Sequence, residues 1–183
     1  GVRRLWKALR HDAPETTETA ERKLIEADGP PLVQVFKTAY AGHTGKLSYG
    51  RVWRGSVKDG AMLGGTRLGG VYRFNGGELA KMPEAVAGDV VALGRLDGIA
   101  TGATISTAGT PDALPFPDPT PPVYAMAIGT TDRKDDVKLS GALHKLAEED
   151  PSLRIVHDAE TGETVLHGQG EMHLLTTVDH LAK

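Results

Sequence analysis

The chain has 183 residues, of which 39% are hydrophobic and 25% are charged, and its formal net charge is -3. These values are typical of a globular protein with one large domain or two small ones. The sequence has no cysteine, which excludes disulfide bonds, thiolate metal ligands and cysteine nucleophiles. No apolar run approaches the roughly 20 residues of a membrane helix, and the N-terminus lacks a signal-peptide core. We therefore expect a cytoplasmic protein with no membrane partner.

Residues 1–31 predict a helix followed by a linker. The apolar residues of the first segment recur at the spacing of an amphipathic helix: Val2, Leu5, Trp6 and Leu9. Pro14 follows the predicted end of this helix. The stretch from Asp12 to Pro31 is polar and bounded by prolines, which indicates an irregular linker with a short helix over 20–27.

Residues 32–107 change to β-branched and aromatic residues at period two, as in "LVQVFKTAY", "GKLSYGRVWRG", "GVYRF" and "GDVVALGRL". Turn sequences separate these runs, and no long helical pattern interrupts them. Several short strands at this spacing predict a small closed β-barrel, because closure removes exposed sheet edges. An open sandwich is the alternative. Six prolines follow within the 15 residues "AGTPDALPFPDPTPP", which predicts a stiff linker over 108–121.

Residues 122–183 predict a second domain. Strand "VYAMAIG" is followed by helix "DRKDDVKLSGALHKLAEEDP", strands "LRIVHD" and "ETVLHG", and helix "GEMHLLTTVDHLAK". This order matches a ferredoxin-like split β-α-β domain that lacks its last strand. The inward face of the last helix is expected to carry five apolar residues: Leu174, Leu175, Val178, Leu181 and Ala182. The predicted fold class is therefore mainly β plus α+β.

The octapeptide "HGQGEMHL" places two histidines and a carboxylate beside two glycines. A dinucleotide fingerprint needs glycine where His173 stands, so that site is excluded. His173 and His180 share a helix face but lie roughly 10 Å apart, too far to hold one metal ion. We interpret the motif as a strand-to-helix turn, in which Gly168 and Gly170 permit a tight bend and Glu171 favours the positive helix start. Contact of this turn with a partner or ligand is the alternative.

Nucleotide-binding motifs are incomplete in this chain. "GHTGKLS" is not a phosphate loop, because Tyr40 replaces the first glycine and Leu47 the magnesium-binding hydroxyl residue. The only asparagine, Asn75, precedes glycine, so the guanine-selecting Asn-Lys-x-Asp sequence is absent. We predict no catalytic, cofactor-binding or metal-binding residues here. The carboxylates at 135–136 and 148–150 lie at predicted helix ends, where we expect solvated caps.

Basic residues are concentrated in the predicted barrel. Residues 32–107 carry nine Lys/Arg against five Asp/Glu, whereas residues 122–183 carry six against eleven. Six side chains on or beside the strands are candidate RNA contacts: Lys46, Arg51, Arg54, Lys58, Arg67 and Arg73. A basic barrel face suits contact with a phosphate backbone, and ordinary solubilising charge is the alternative.

Four stretches resemble elongation factor G and its near relatives among the translational GTPases. They are "VFKTAYAGHTGKLSYGRVWRGSVKDGAML", "AGDVVALGRLDGIATGATIS", "LAEEDPSLRIVHDAETGETVLHGQGEMHL" and "VD" at 178–179. The resemblance implies that residues 32–107 are the β-barrel second domain (domain II). It implies that residues 122–183 are most of the ferredoxin-like third domain (domain III). Residues 1–31 would then be the last helix of a preceding GTPase domain and its linker.

The resemblance implies a ribosome-binding portion of a translational GTPase, acting in ribosomal translocation or a related step of protein synthesis. Its partners would be small-subunit ribosomal RNA, ribosomal protein and its own GTPase domain. GTP and magnesium would be bound in that missing domain, so the chain alone would have no activity. A ribosome- or RNA-binding module without GTP hydrolysis, a ribosomal protection protein and a GTP-dependent release factor are the alternatives.

Five residues are implied to lie at the domain interface or in the family's fusidic-acid pocket: Ser152, Glu171, His173, Thr177 and His180. His180 replaces the usual arginine of the family and Thr177 a larger apolar residue. The hairpin after Leu63 is also shorter than usual, which suggests a paralogue with a changed ribosomal contact. Since the last strand of the ferredoxin-like order is missing, strand 123–128 is expected to have an unpaired edge, with looser order or an intermolecular strand contact.

Overall fold

The computed structural model describes residues 1–42, 44–130 and 132–181. Helix α1 spans Val2–Asp12 and helix α2 spans Thr16–Arg22. The apolar side chains of α1 are exposed, and α1 has no buried residue. No helix in the described ranges is long and apolar enough to cross a membrane.

Among the residues that the structure describes, ten strands follow and form the first domain. They are β1 (Leu32–Ala41), β2 (Gly45–Arg54), β3 (Ser56–Lys58), β4 (Met62–Leu63), β5 (Thr66–Arg67), β6 (Val71–Asn75), β7 (Glu78–Met82), β8 (Glu84–Val86), β9 (Val90–Gly94) and β10 (Thr104–Ser106). Six of them form an antiparallel sheet in the order β10-β1-β2-β9-β6-β7, and β3–β8 and β4–β5 form two short pairs. The predicted period-two runs are therefore strands.

The strands enclose one apolar core, as expected for a small barrel. Alternate side chains of β1 to β4, β6 and β8 to β10 point into this core. Most of them are branched aliphatic side chains: Val33, Val35, Val52, Val57, Leu63, Val71, Val91, Leu93 and Ile105. These residues are at most 4% exposed. The predicted β-barrel is thus confirmed.

Both linkers pack on the outside of this barrel. Ile25, Leu32 and Trp53 form a second apolar cluster, and Leu114 from the proline-rich segment packs against it. The Gln34 amide donates a hydrogen bond to the backbone oxygen of Pro115 (3.2 Å). The proline-rich segment is therefore held against the barrel surface at these residues.

Within the described parts of residues 122–181, the second domain contains a three-stranded antiparallel sheet and two α-helices. Its elements are β11 (Tyr124–Ile128), a 3₁₀ turn (Arg133–Asp135), α3 (Asp136–Glu149), β12 (Arg154–His157), β13 (Thr164–Gly168) and α4 (Glu171–Leu181). The strand order is β11-β13-β12, and apolar side chains of both helices pack against the sheet around Leu143, Leu166 and Leu174. Among the described residues β11 pairs only with β13. The expected open edge of 123–128 is therefore present.

Two local predictions were wrong. The short helix occupies Thr16–Arg22 instead of 20–27, because Leu24 adopts a left-handed φ of 58° that ends it. Leu175 is 40% exposed, whereas Thr177 is 8% exposed. Residue 175 lies about 100° around the helix from the buried Leu174, so Thr177 occupies the inward position instead. Ala182 lies outside the described residues.

Candidate functional site

A cleft of about 380 Å³ lies between the barrel and the second domain. The barrel contributes Lys37, Thr38 and Ala39 of β1. The second domain contributes residues of α3, α4 and the α3–β12 loop: Leu146, Glu149, Asp150, Leu153, His173, Thr176, Thr177 and His180. Three of the five predicted interface or drug-pocket residues therefore line one cleft.

The other two predicted residues lie beside this cleft or outside it. The Ser152 hydroxyl donates to the Asp150 carboxylate at 2.6 Å, so Ser152 helps to hold a cleft residue in place. Glu171 is exposed at the first turn of α4 and does not line the cleft. Its place at the helix start agrees with the favourable effect of negative charge there.

The "HGQG" turn is organised by His173. The backbone N–H of Gln169 donates to Nδ1 of His173 (3.0 Å), and Nε2 of His173 lies 3.0 Å from Oδ2 of Asp150. Since Nδ1 accepts a hydrogen bond, Nε2 carries the proton and donates to Asp150. A side chain of the first helical turn thus reaches back to a free backbone N–H, as in a capping box.

Asp150 accepts hydrogen bonds from both Ser152 and His173. Burial opposes its ionisation, but hydrogen bonds from the Ser152 hydroxyl and backbone N–H and from His173 outweigh that effect and hold the pKa of Asp150 below its ordinary value. An ionised Asp150 therefore connects the end of α3 to the start of α4.

The carboxylates at the end of α3 are partly exposed, as expected for solvated caps, but two of them also bind residues of the barrel. Glu148 lies 2.8 Å from Nζ of Lys46, whose side chain is only 4% exposed, and it also accepts a hydrogen bond from the Tyr40 hydroxyl. Glu149 accepts a hydrogen bond from the backbone N–H of Tyr40. These partners are about 100 residues away in the chain, so no local spacing could have revealed them.

The six predicted RNA contacts divide into two groups. Lys58, Arg67 and Arg73 are exposed on the barrel. Lys46 is buried and forms an ion pair with Glu148. Arg51 and Arg54 donate hydrogen bonds to other residues of the chain. Arg51 donates to Thr16 (2.9 Å) and stacks 4.9 Å from the Trp53 ring. Arg54 donates to the backbone oxygens of Pro30 and Glu26.

Other features carry less chemistry. A larger open cavity of about 830 Å³ lies between α3 and the sheet, with Leu139, Leu143 and Ile155 among its lining residues, and none of the predicted site residues lines it. No group of three or more His, Cys, Asp or Glu in the described parts of the chain could hold a metal ion. The interdomain cleft and the exposed barrel cations are therefore the candidate functional regions.

Comparisons with known proteins agree with this architecture. The model of the family described as "Elongation factor G domain 2" matches residues 30–108, and that of "Elongation Factor G, domain III" matches residues 117–183. An "Elongation factor G-like protein" of Synechocystis sp. is 45% identical over 185 residues, which cover 100% of this chain and 27% of that protein. A protein of Thermus thermophilus with a known crystal structure aligns with a TM-score of 0.83 and 34% identity, over 100% of this chain and 28% of that one.

The chain thus spans about a quarter of the length of these proteins. The two family models match successive parts of the chain in the same order as the barrel and the α+β domain, and the second match begins within the proline-rich segment. The chain belongs to the elongation factor G family.

Proposed function

We propose that this chain is the ribosome-binding part of a cytoplasmic translational GTPase that acts in translocation or a related step of protein synthesis. The observation that carries the proposal is the 45% identity along the whole chain to an elongation factor G-like protein. This match covers both domains, so the proposal extends to the barrel and the α+β domain alike.

The barrel surface supports contact with small-subunit ribosomal RNA. Lys58, Arg67 and Arg73 are exposed and free of any ion pair shorter than 4 Å among the described residues. Positive side chains at a surface bind phosphate and release condensed counterions, which supplies most of the affinity of such contacts. We propose these three as the RNA contacts, whereas Lys46, Arg51 and Arg54 support the fold.

In this proposal GTP and magnesium are bound by a GTPase domain outside the 183 residues. The exposed apolar stripe of α1 would pack on that domain. The turn held by His173 and Asp150 would lie near it and transmit changes between ribosome and nucleotide. The second domain would also contact ribosomal protein.

Co-sedimentation of the intact parent protein with ribosomes tests the proposal, with GTP hydrolysis followed in their presence and absence. We expect binding together with strong stimulation of hydrolysis. Binding without hydrolysis would instead support a module that only recognises the ribosome, and absence of binding would refute the proposal.

The proposed transmission role has its own test in the same assay. Glu171→Ala and His173→Ala variants of the intact protein should bind ribosomes but show reduced stimulation of hydrolysis. Full stimulation in both variants would remove the transmission role while leaving ribosome binding in place.

A further inference from the structure

The C-terminal end of α3 carries an unusual charge distribution. Glu148, Glu149 and Asp150 follow one another there, and the last turn has no basic residue. The C-terminus of a helix has a partial negative charge, so three carboxylates at this end are unfavourable for α3 alone. Their stabilisation must come from groups outside the helix.

The barrel provides two of these groups. Lys46 Nζ forms the 2.8 Å ion pair with Glu148, and Tyr40 donates its hydroxyl to Glu148 and its backbone N–H to Glu149. The Nζ atom of Lys145 of α3 lies 5.6 Å from the centroid of the Tyr40 ring. The two glutamates of α3 therefore have their hydrogen-bond and ion-pair partners in the barrel, and Lys46 of the barrel has its partner in α3.

Lys46 makes this contact selective for one arrangement of the domains. Its side chain is 4% exposed, whereas that of Glu148 is 43% exposed. A buried ammonium without its carboxylate is strongly destabilising, because it loses water without gaining a partner. Rotation of the second domain away from β1 would separate the Lys46 ammonium from this carboxylate and break the 2.8 Å ion pair.

We infer that Tyr40, Lys46, Glu148 and Glu149 form a latch that fixes the orientation of the second domain on the barrel and sets the width of the cleft between them. The cleft is lined on one side by Lys37 to Ala39, directly before Tyr40, and on the other by residues including Glu149. Closing or opening the latch therefore moves the two walls of the cleft relative to each other. This inference concerns contacts within the chain and does not depend on ribosome binding.

The absence of native cysteine permits a direct distance measurement. Spin labels attached at Ala80→Cys on β7 and Ala159→Cys in the β12–β13 turn report the distance between the domains, and both positions are exposed. We expect one narrow distance distribution for the latched chain. Tyr40→Phe and Glu148→Gln should each broaden it by about twofold or more, since small interdomain contacts otherwise allow relative motion.

Two further variants make the result decisive. Asp179→Asn removes an exposed carboxylate of α4 and should leave the distribution unchanged. The double variant Lys46→Met with Glu148→Gln removes the buried charge together with its partner, so it should unfold at a higher denaturant concentration than Glu148→Gln alone while its distribution stays broad. A narrow distribution in Tyr40→Phe and in the double variant, or equal broadening in Asp179→Asn, would overturn the latch.

Discussion

At the residue scale, the "HGQG" turn needs glycine because a Cβ would be too close to neighbouring atoms, and a left-handed backbone conformation is not the reason. Neither Gly168 nor Gly170 has a positive φ. A Cβ at Gly168 would lie 2.5 Å from Cδ2 of Leu174 and 2.9 Å from Nδ1 of His173, whereas nothing lies within 4 Å of one at Gly170. The expected tight bend is therefore a close approach of β13 to α4, at Gly168 alone.

Gly168→Ser and Gly170→Ser form a matched pair that tests this difference. Gly168→Ser should lower the free energy of unfolding by about 1–3 kcal/mol, because buried Leu174 must move. Gly170→Ser should change it by less than about 0.5 kcal/mol or raise it, since serine is favoured before a helix start. Denaturant titration of both variants measures the effect, and equal losses would contradict the steric explanation.

Asp150 gives the turn a dependence on pH. Its pKa in the folded chain lies below the ordinary value of 3.8, so its stabilising effect is present above that value and is lost as pH falls through the folded pKa. Asp150→Asn should therefore lose less stability than the parent chain between about pH 5 and about pH 2. Denaturant unfolding across this range provides the comparison, with Asp179→Asn as the control; a parallel loss in Asp150→Asn would contradict the assignment.

The sequence identified residues of the right kind at this scale but not their partners. Six cations were predicted to face RNA, yet Arg51 and Arg54 bind backbone and hydroxyl oxygens of residues 16–30. Glu148 was expected to be a solvated cap; it is 43% exposed and also forms an ion pair with Lys46. The contact partner of a charged side chain depends on which surfaces the fold brings together. Neither the periodicity nor the spacing of residues along the sequence encodes those long-range contacts.

At the element scale, strands were predicted better than the short helix. Period-two patterns report burial on one face, and β1, β2, β6 and β9 all lie where such runs predicted them. Helix α2 was misplaced because its end depends on the backbone of Leu24, which turns the chain so that Ile25 packs near Trp53. Tertiary packing thus determined that boundary, and the local pattern did not.

Leu24 should be a point of strain. It is 91% exposed at a φ of 58°, so it gains little from packing while adopting a conformation that favours glycine. Leu24→Gly should raise the free energy of unfolding by about 0.5–1 kcal/mol, after the greater flexibility of glycine in the unfolded chain is included. Thermal unfolding measures this, and Leu24→Ala, which keeps a Cβ, should show no comparable gain.

At the scale of the whole molecule, the division among barrel cations leads to a salt-dependence test. Changing Lys58, Arg67 and Arg73 to glutamine in the parent protein should weaken ribosome binding. It should also reduce the slope of log affinity against log salt by roughly 0.7–0.9 for each phosphate that is no longer neutralised. Lys134→Gln, Lys138→Gln and Arg154→Gln together, on the second domain, are the control for the loss of three positive charges. An unchanged slope in the barrel variant would contradict binding of phosphate by these residues.

The three-stranded sheet of the second domain also has implications for symmetry. Its outer strands are β11 and β12, and each has one hydrogen-bonded neighbour among the described residues. If β11 joins β11 of another copy in antiparallel fashion, a twofold axis closes the assembly at two chains. If β11 joins β12 of another copy instead, the contact repeats without closure and yields a fibre.

Sedimentation of the isolated chain at increasing concentration would distinguish a dimer limit from unlimited growth. Ala127→Lys on β11 should suppress both forms of association, whereas Ala159→Lys in the β12–β13 turn should suppress neither. The strand of the second copy that pairs with β11, either β11 or β12, therefore determines whether the chain forms a closed dimer or a filament.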